Sequence, residues 1–197
     1  MISCIVLAAG HSSRFGSPKA LARIDDQQTV LEYLQKKLVQ THLDEVCVVL
    51  GAQHEQVKSF LLNHKKVKSV YNKDHNFGQT SSFKTGLQHI NPQAEGVLLL
   101  PVDCPCVTVA TIDKLIDAFQ KDNVDILIPT YKNRKGHPPL FSARLKQNFL
   151  DLDHSMGING IAHRKDVAVN LVPFEDEGVV QTFNTPEEFL ALRELLA

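Results

Sequence analysis

The residues best equipped for chemistry stand near the amino end. Met1 to Ala8 reads as a buried strand, with Ile2, Ile5, Val6, Leu7 and Ala8 apolar. It passes straight into Ala9-Gly10-His11-Ser12-Ser13-Arg14-Phe15-Gly16-Ser17-Pro18-Lys19. A strand that ends in a glycine, two hydroxyls, an arginine and a lysine has the make-up of a phosphate cradle. Small residues let backbone N–H groups approach oxygens closely, and two cations neutralise the charge. The spacing is not that of the P-loop ATPases, which need Gly-Lys-Ser/Thr after a four-residue spacer. Gly10 and Gly16 are too far apart for Gly-x-Gly-x-x-Gly. The bland alternative is a polar surface turn that carries Arg14 and Lys19.

Two later stretches could join this loop. In Gly78-Gln79-Thr80-Ser81-Ser82-Phe83-Lys84-Thr85-Gly86-Leu87, a helix is expected to begin at the polar end. There Gln79, Ser81 and Ser82 could meet a base, a ribose or a phosphate, or the hydroxyls could only cap the helix. Val97-Leu98-Leu99-Leu100 is apolar throughout and delivers Asp103 just beyond its end. A lone carboxylate there could hold a divalent cation against phosphates, or cap the helix that begins near Thr108. His11 sits inside the first loop and is a candidate for ligand proximity. His137 and His163 read as surface or satisfied core groups, and no Ser/His/Asp or Cys/His hydrolase set is legible.

The elements that must position these residues alternate. Strands are expected at Val46 to Leu50, Val67 to Tyr71, Gly96 to Pro101 and Val124 to Pro129. Between them lie helical patterns: Val30 to Val39 behind a Thr29 cap, one from near Gln53 to Leu62, one from Gly78 to before Pro92, and Thr108 to Gln120. This alternation indicates α/β: a Rossmann-like three-layer α/β/α sandwich with a mostly parallel, doubly wound sheet. After Pro129 the alternation weakens. Ser142 is read as the cap of a helix through Leu150, Val167 to Val172 and Val179 to Phe183 as two strands, and Pro186 to Leu196 as a closing helix. In such a sheet, loops at the carboxyl ends of strands carry the ligand site.

Composition narrows the classes. The 197 residues suit one domain, residues 1–197, and a hydrophobic fraction of 43% with 22% charged is ordinary for a globular chain. Twenty-one basic and 22 acidic side chains give a formal charge of −1, which favours neither nucleic acid nor an acidic partner. No apolar run reaches a membrane span, and no signal peptide is read at the amino end. Cys4, Cys47, Cys104 and Cys106 lack zinc-knuckle spacing and are expected as reduced thiols of a cytoplasmic protein.

Taken in order, these motifs resemble a family. Leu7-Ala8-Ala9-Gly10-x-Ser12-Ser13-Arg14-Phe15-Gly16-x-Pro18-Lys19 resembles the signature of the GT-A-like NTP transferase superfamily. Within it the chain looks most like the molybdenum cofactor nucleotidyltransferases, the cytidylyl and guanylyl enzymes. Gly78-Gln79-Thr80-Ser81-Ser82 resembles that family's second motif, and Leu100-Pro101-Val102-Asp103 its magnesium-binding stretch. Gly136-His137-Pro138 and Asn184-Thr185-Pro186-Glu187 resemble the last two motifs.

The resemblance implies transfer of an NMP from an NTP onto a phosphorylated acceptor, with release of pyrophosphate. It assigns Leu7, Ala8, Ala9, Gly10, Ser12, Ser13, Arg14, Lys19, Gln79, Ser81 and Ser82 to the nucleotide. Arg14, Lys19 and Asp103 would be catalytic, and Asp103 and Asn184 would hold Mg²⁺. Ala8-Ala9-Gly10, where guanylyl enzymes usually carry Ala-Gly-Gly, favours CTP, since a side chain at Ala9 narrows the base pocket. Molybdopterin would be the acceptor and a molybdoenzyme a possible partner. Two departures stand against a full match: Met156 to Arg164 lacks the family's acidic residue, and Asn184 replaces the usual Asp. They keep open another acceptor, such as a sugar or polyol phosphate, and a non-catalytic nucleotide-binding module.

Overall fold

The strand β1 (Ile2–Ala8) is buried at every residue, which requires neighbours on both edges and layers on both faces. The computed structural model, which describes residues 1–122, 124–153 and 155–196, supplies all four. After β1 come α1 (Val30–Leu38), β2 (Glu45–Leu50), α2 (His54–Lys58), β3 (Val67–Tyr71), α3 (Gln79–His89) and β4 (Gly96–Pro101). They are followed by α4 (Val109–Lys121), β5 (Ile126–Tyr131), β6 (Arg134–Lys135), β7 (Leu140–Ser142), α5 (Lys146–Leu150), β8 (Val169–Pro173) and α6 (Pro186–Arg193).

The sheet runs β3-β2-β1-β4-β7-β5-β6, with β8 paired to β5. The β1–β2, β1–β4, β2–β3 and β5–β8 pairs are parallel. The pleat divides the core. Cys4, Val6 and Ala8 face the layer of α1, α4 and α6, while Ile5, Leu7 and Ala9 face α3 and α5. Thr29 caps α1, as the sequence predicts, and Glu32 completes a reciprocal capping box with it.

Three expectations are corrected. Val179 to Phe183 is not a strand: Glu177–Val180 is a 3₁₀ turn capped by Asp176, with unpaired extended chain after it. Val179 and Phe183 are buried, and Val179 gives its carbonyl to the His137 N–H, not to a strand ladder. The second helix stops at Lys58, short of Leu62, because buried Gln35 takes over its backbone groups. The Gln35 amide donates to Phe60 O at 3.0 Å and accepts from Leu62 N at 2.8 Å. Leu140-Phe141, read only as an apolar stretch, becomes antiparallel β7 wedged between β4 and β5.

The four cysteines are free, with burial pushing the Cys47 thiol up to about 12 and Cys106 up to about 11. Among the described residues, no helix is long and apolar enough to cross a membrane.

Candidate functional site

A cleft of about 350 Å³ opens at the carboxyl ends of β1 and β4. The end of β1 gives it Leu7 and Ala8, and the loop beyond gives Ala9, Gly10, Ser12, Ser13, Arg14 and Lys19; α3 gives Gln79 and Ser82; the loop after β4 gives Asp103. Asn184 arrives from just before α6. Ser81 alone of the proposed nucleotide residues is absent from the lining.

The first loop folds on its own hydroxyl and carbonyl. Ser12 adopts φ 53°, and its carbonyl accepts from Phe15 N and Gly16 N while its Oγ accepts from Lys19 N at 3.2 Å. Phe15 then anchors the loop by packing edge-on against Phe183 at 5.4 Å and Phe189 at 5.8 Å. That aromatic trio draws the carboxyl-terminal segment up to the loop. The Lys19 ammonium lies 5.5 Å from the Phe183 ring centre. Sequence reading had no role for these phenylalanines, because ring contacts between residues so far apart leave no local pattern.

The polar centre of the cleft is a knot of four side chains. Lys19 Nζ donates to Asp103 Oδ2 at 2.6 Å and to Asn184 Oδ1 at 3.0 Å. Arg14 Nη2 donates to the same Asn184 oxygen at 3.0 Å. Asp103 is therefore not a helix cap; Thr108 caps α4, its hydroxyl accepting from Thr111 N. A carboxylate oxygen and an amide oxygen converge on one ammonium. Such a hard oxygen pair fits Mg²⁺ or Mn²⁺, which takes one or two protein oxygens and completes its shell with water and phosphate. Among the described residues, no group of three or more His, Cys, Asp or Glu could hold a metal unaided.

At the start of α3, Gly78 takes φ 84° and no side chain caps the helix, so its leading end faces the cleft uncovered. The serines divide their work. Buried Asn72 donates to Ser81 Oγ at 3.0 Å and Ser82 Oγ at 3.1 Å, and Ser81 Oγ turns toward the carbonyls of Asp74 and Gly78. Ser81 braces the 72–78 loop, while Ser82 also reaches the cleft. His75, unremarked in the sequence, lines the cleft and leaves Nδ1 buried without a partner. His11 lies one ring away, 5.1 Å from His75, with Nε2 at 2.7 Å from Asn76 Oδ1.

The remaining candidates lie outside the cleft lining. His137 borders a smaller hollow of about 210 Å³, and burial lowers its pKa against the opposing pull of Asp103. His163 is exposed at the end of the 3₁₀ segment Ile158–His163. Arg164 is occupied by Asp166 on the surface, through Nε and Nη2 at 3.1 Å each. Of the divergent 156–164 segment, Met156 comes nearest, its carbonyl accepting from Thr80 Oγ1 at 2.7 Å beside Gln79.

The family model of the MobA-like NTP transferase domain matches residues 4–169. A probable molybdenum cofactor guanylyltransferase of Thermococcus sibiricus is 27% identical over 75% of this chain and 70% of its own length. Among solved structures, Rv0371c of Mycobacterium tuberculosis H37Rv superposes with a TM-score of 0.84 at 27% identity, covering 98% of each chain. The same protein has also been solved in complex with manganese, with a TM-score of 0.80 at 26% identity over 98% of each chain.

Proposed function

The chain belongs to the MobA-like NTP transferase family, and we propose that it transfers CMP from CTP to the phosphate of a small acceptor, releasing pyrophosphate. The observation that carries the reading is the knot of Arg14, Lys19, Asp103 and Asn184 facing an uncapped helix start. Two cations and exposed backbone donors suit a triphosphate, and an oxygen pair suits a divalent cation beside it.

In the proposed reaction an acceptor phosphate oxygen attacks the α-phosphorus. The bond from that phosphorus to the α,β-bridging oxygen breaks, and pyrophosphate leaves with the electron pair. Arg14 and Lys19 hold the triphosphate and neutralise the charge that grows on the leaving oxygens. Asp103 and Asn184 hold the divalent cation, Mg²⁺ in this reading, which when bound screens phosphate charge and polarises the α-phosphate. The manganese complex of Rv0371c supports a divalent site in the family. Gln79 and Ser82 lie where they would orient the nucleotide, and Ser81 supports them from behind. Positioning and charge supply the rate, with no covalent protein intermediate.

The base preference rests on Ala9. It is 2% exposed, its carbonyl accepts from Ala52 N, and its Cβ lies against Gly51. A methyl fixed there narrows the base end of the cleft and favours a pyrimidine. The name of the Thermococcus relative favours GTP as the competing reading. That name also points to the molybdenum cofactor, and in our reading molybdopterin is the acceptor and a molybdoenzyme receives the product. A sugar or polyol phosphate is the second reading, because the 156–164 segment departs from the family pattern. Pyrophosphate release with ATP, GTP, CTP and UTP, with and without molybdopterin, tests both choices. Release with CTP that depends on molybdopterin is expected. Comparable turnover with GTP would overturn the base assignment, and CTP turnover on another phosphorylated acceptor alone would overturn molybdopterin.

A further inference from the structure

The loop that presents Asp103 is held from three sides, and one clasp comes from a residue far from the cleft. Phe183 N donates to Asp103 O at 3.3 Å, and Thr108 N donates to Asp176 Oδ2 at 3.0 Å. Both partners belong to the segment that also delivers Asn184. Gly178 lies so close to Cys106 that an added Cβ would meet the Cys106 carbonyl oxygen at 2.4 Å. The remaining clasp is Lys37 of α1. Its Nζ donates to Pro105 O at 2.6 Å and Val107 O at 2.9 Å, and it sits 4.3 Å from the centre of the Tyr33 ring. Among the described residues, Nζ is the donor that both carbonyls meet.

A lysine in this setting is committed. Burial pulls its ammonium down to about 8, against the opposing pull of Cys106 and Asp176. Its exposed neighbour Lys36 makes only a 3.5 Å contact with Gln28, the ordinary behaviour of a solvated lysine. Two short charge-assisted bonds to the carbonyls that flank Cys106, with a ring beneath, fix the backbone from two residues beyond Asp103.

We propose that Lys37 is a positioning residue for the divalent site: by holding the carbonyls of Pro105 and Val107 it sets where Asp103 stands relative to Asn184. The inference rests on the reading of Asp103 and Asn184 as the metal-holding pair. It adds a residue that no motif marks and that does not line the cleft.

The test is Mn²⁺ binding to the whole protein, followed by electron paramagnetic resonance without nucleotide, for wild type, Lys37→Met and Lys37→Arg. Lys37→Met should weaken Mn²⁺ binding about tenfold, the scale seen when a group supporting a metal ligand is lost. Lys37→Arg, which keeps charge and donors, should recover most of it. A melting temperature on each variant separates general destabilisation from displacement of the ligand. If Lys37→Met fails to fold, Lys37→Gln, uncharged and one bond shorter, takes its place and should show the same loss of Mn²⁺ affinity. Equal Mn²⁺ affinity in folded wild type and variants would overturn the positioning role while leaving the metal reading intact. Absence of Mn²⁺ binding in wild type would overturn both.

Discussion

Lys19 and Asp103, 84 positions apart, form a 2.6 Å ion pair at the centre of the cleft, with side chains 12% and 23% exposed. The ammonium stands where a divalent cation would compete for the same carboxylate oxygen. Removing it should therefore separate two properties. Lys19→Ala should lower turnover about 10²-fold or more, the loss typical of a preorganised charge contact. The same variant should bind Mn²⁺ alone at least as tightly as wild type, because Asp103 no longer has an internal counterion. Steady-state kinetics and metal titration together check this; weaker Mn²⁺ binding would show that Lys19 holds the carboxylate in place more than it competes for it.

Asn184 accepts from Arg14 and Lys19 through one amide oxygen. Asn184→Asp adds a negative charge at that oxygen without changing its size, so the Mg²⁺ concentration for half-maximal turnover should fall. Asn184→Ala should raise it. An activation curve unmoved by either substitution would exclude Asn184 from the metal site.

Gly51 ends β2 where no side chain fits. An added Cβ would lie 2.4 Å from Ala9 O and 2.7 Å from the Cβ atoms of Ala9 and His75. Gly51→Ala should destabilise the protein by about 1–3 kcal/mol through overpacking. It should also raise KM for the nucleotide, because Ala9 and His75 wall the cleft. Urea unfolding and a KM measurement read the two effects separately.

Asp125 is 3% exposed and ties three elements together: its carboxylate accepts from the Arg144 guanidinium and from Ala168 N at 2.7 Å, while its carbonyl accepts from Ser142 N. Burial alone would raise its pKa, but these partners hold it below the ordinary carboxylate value. A depressed pKa stabilises the fold above the unfolded value and loses that contribution as pH falls through the folded one. Melting temperature should accordingly drop below about pH 5 more steeply in wild type than in Asp125→Asn, as pH falls past the unfolded carboxylate value toward the lower folded one. Parallel curves would falsify this account.

Much of this was readable along the chain because it depends on neighbours in sequence. The apolar run of β1, the Thr29 cap and the strand–helix alternation each follow from local propensity and periodicity. So does the closure of the loop from Ala9 to Lys19, which Ser12 makes with Phe15, Gly16 and Lys19. Asp103 stood out because a lone carboxylate follows an unbroken apolar strand.

What only the tertiary structure decided depends on distance in sequence. Val179 to Phe183 carries β-prone valines and a phenylalanine, but Asp176 caps a 3₁₀ turn over Glu177–Val180 and the segment's backbone bonds go to His137 and Asp103, so it becomes a turn and a tether. Gln35 ends α2 by claiming backbone groups from another helix. Ser81 and Ser82, adjacent and both bonded to Asn72, take different roles because Ser81 also reaches the Asp74 carbonyl while Ser82 lines the cleft. The approach of Asn184 to Arg14 and Lys19 is set by the packing of Phe15, Phe183 and Phe189, and the loop of Asp103 by Lys37. Local sequence fixes which groups are available, since φ/ψ preference and periodicity act over a few residues. Which groups meet is decided by close packing across the folded chain, where each contact depends on all the others being satisfied together.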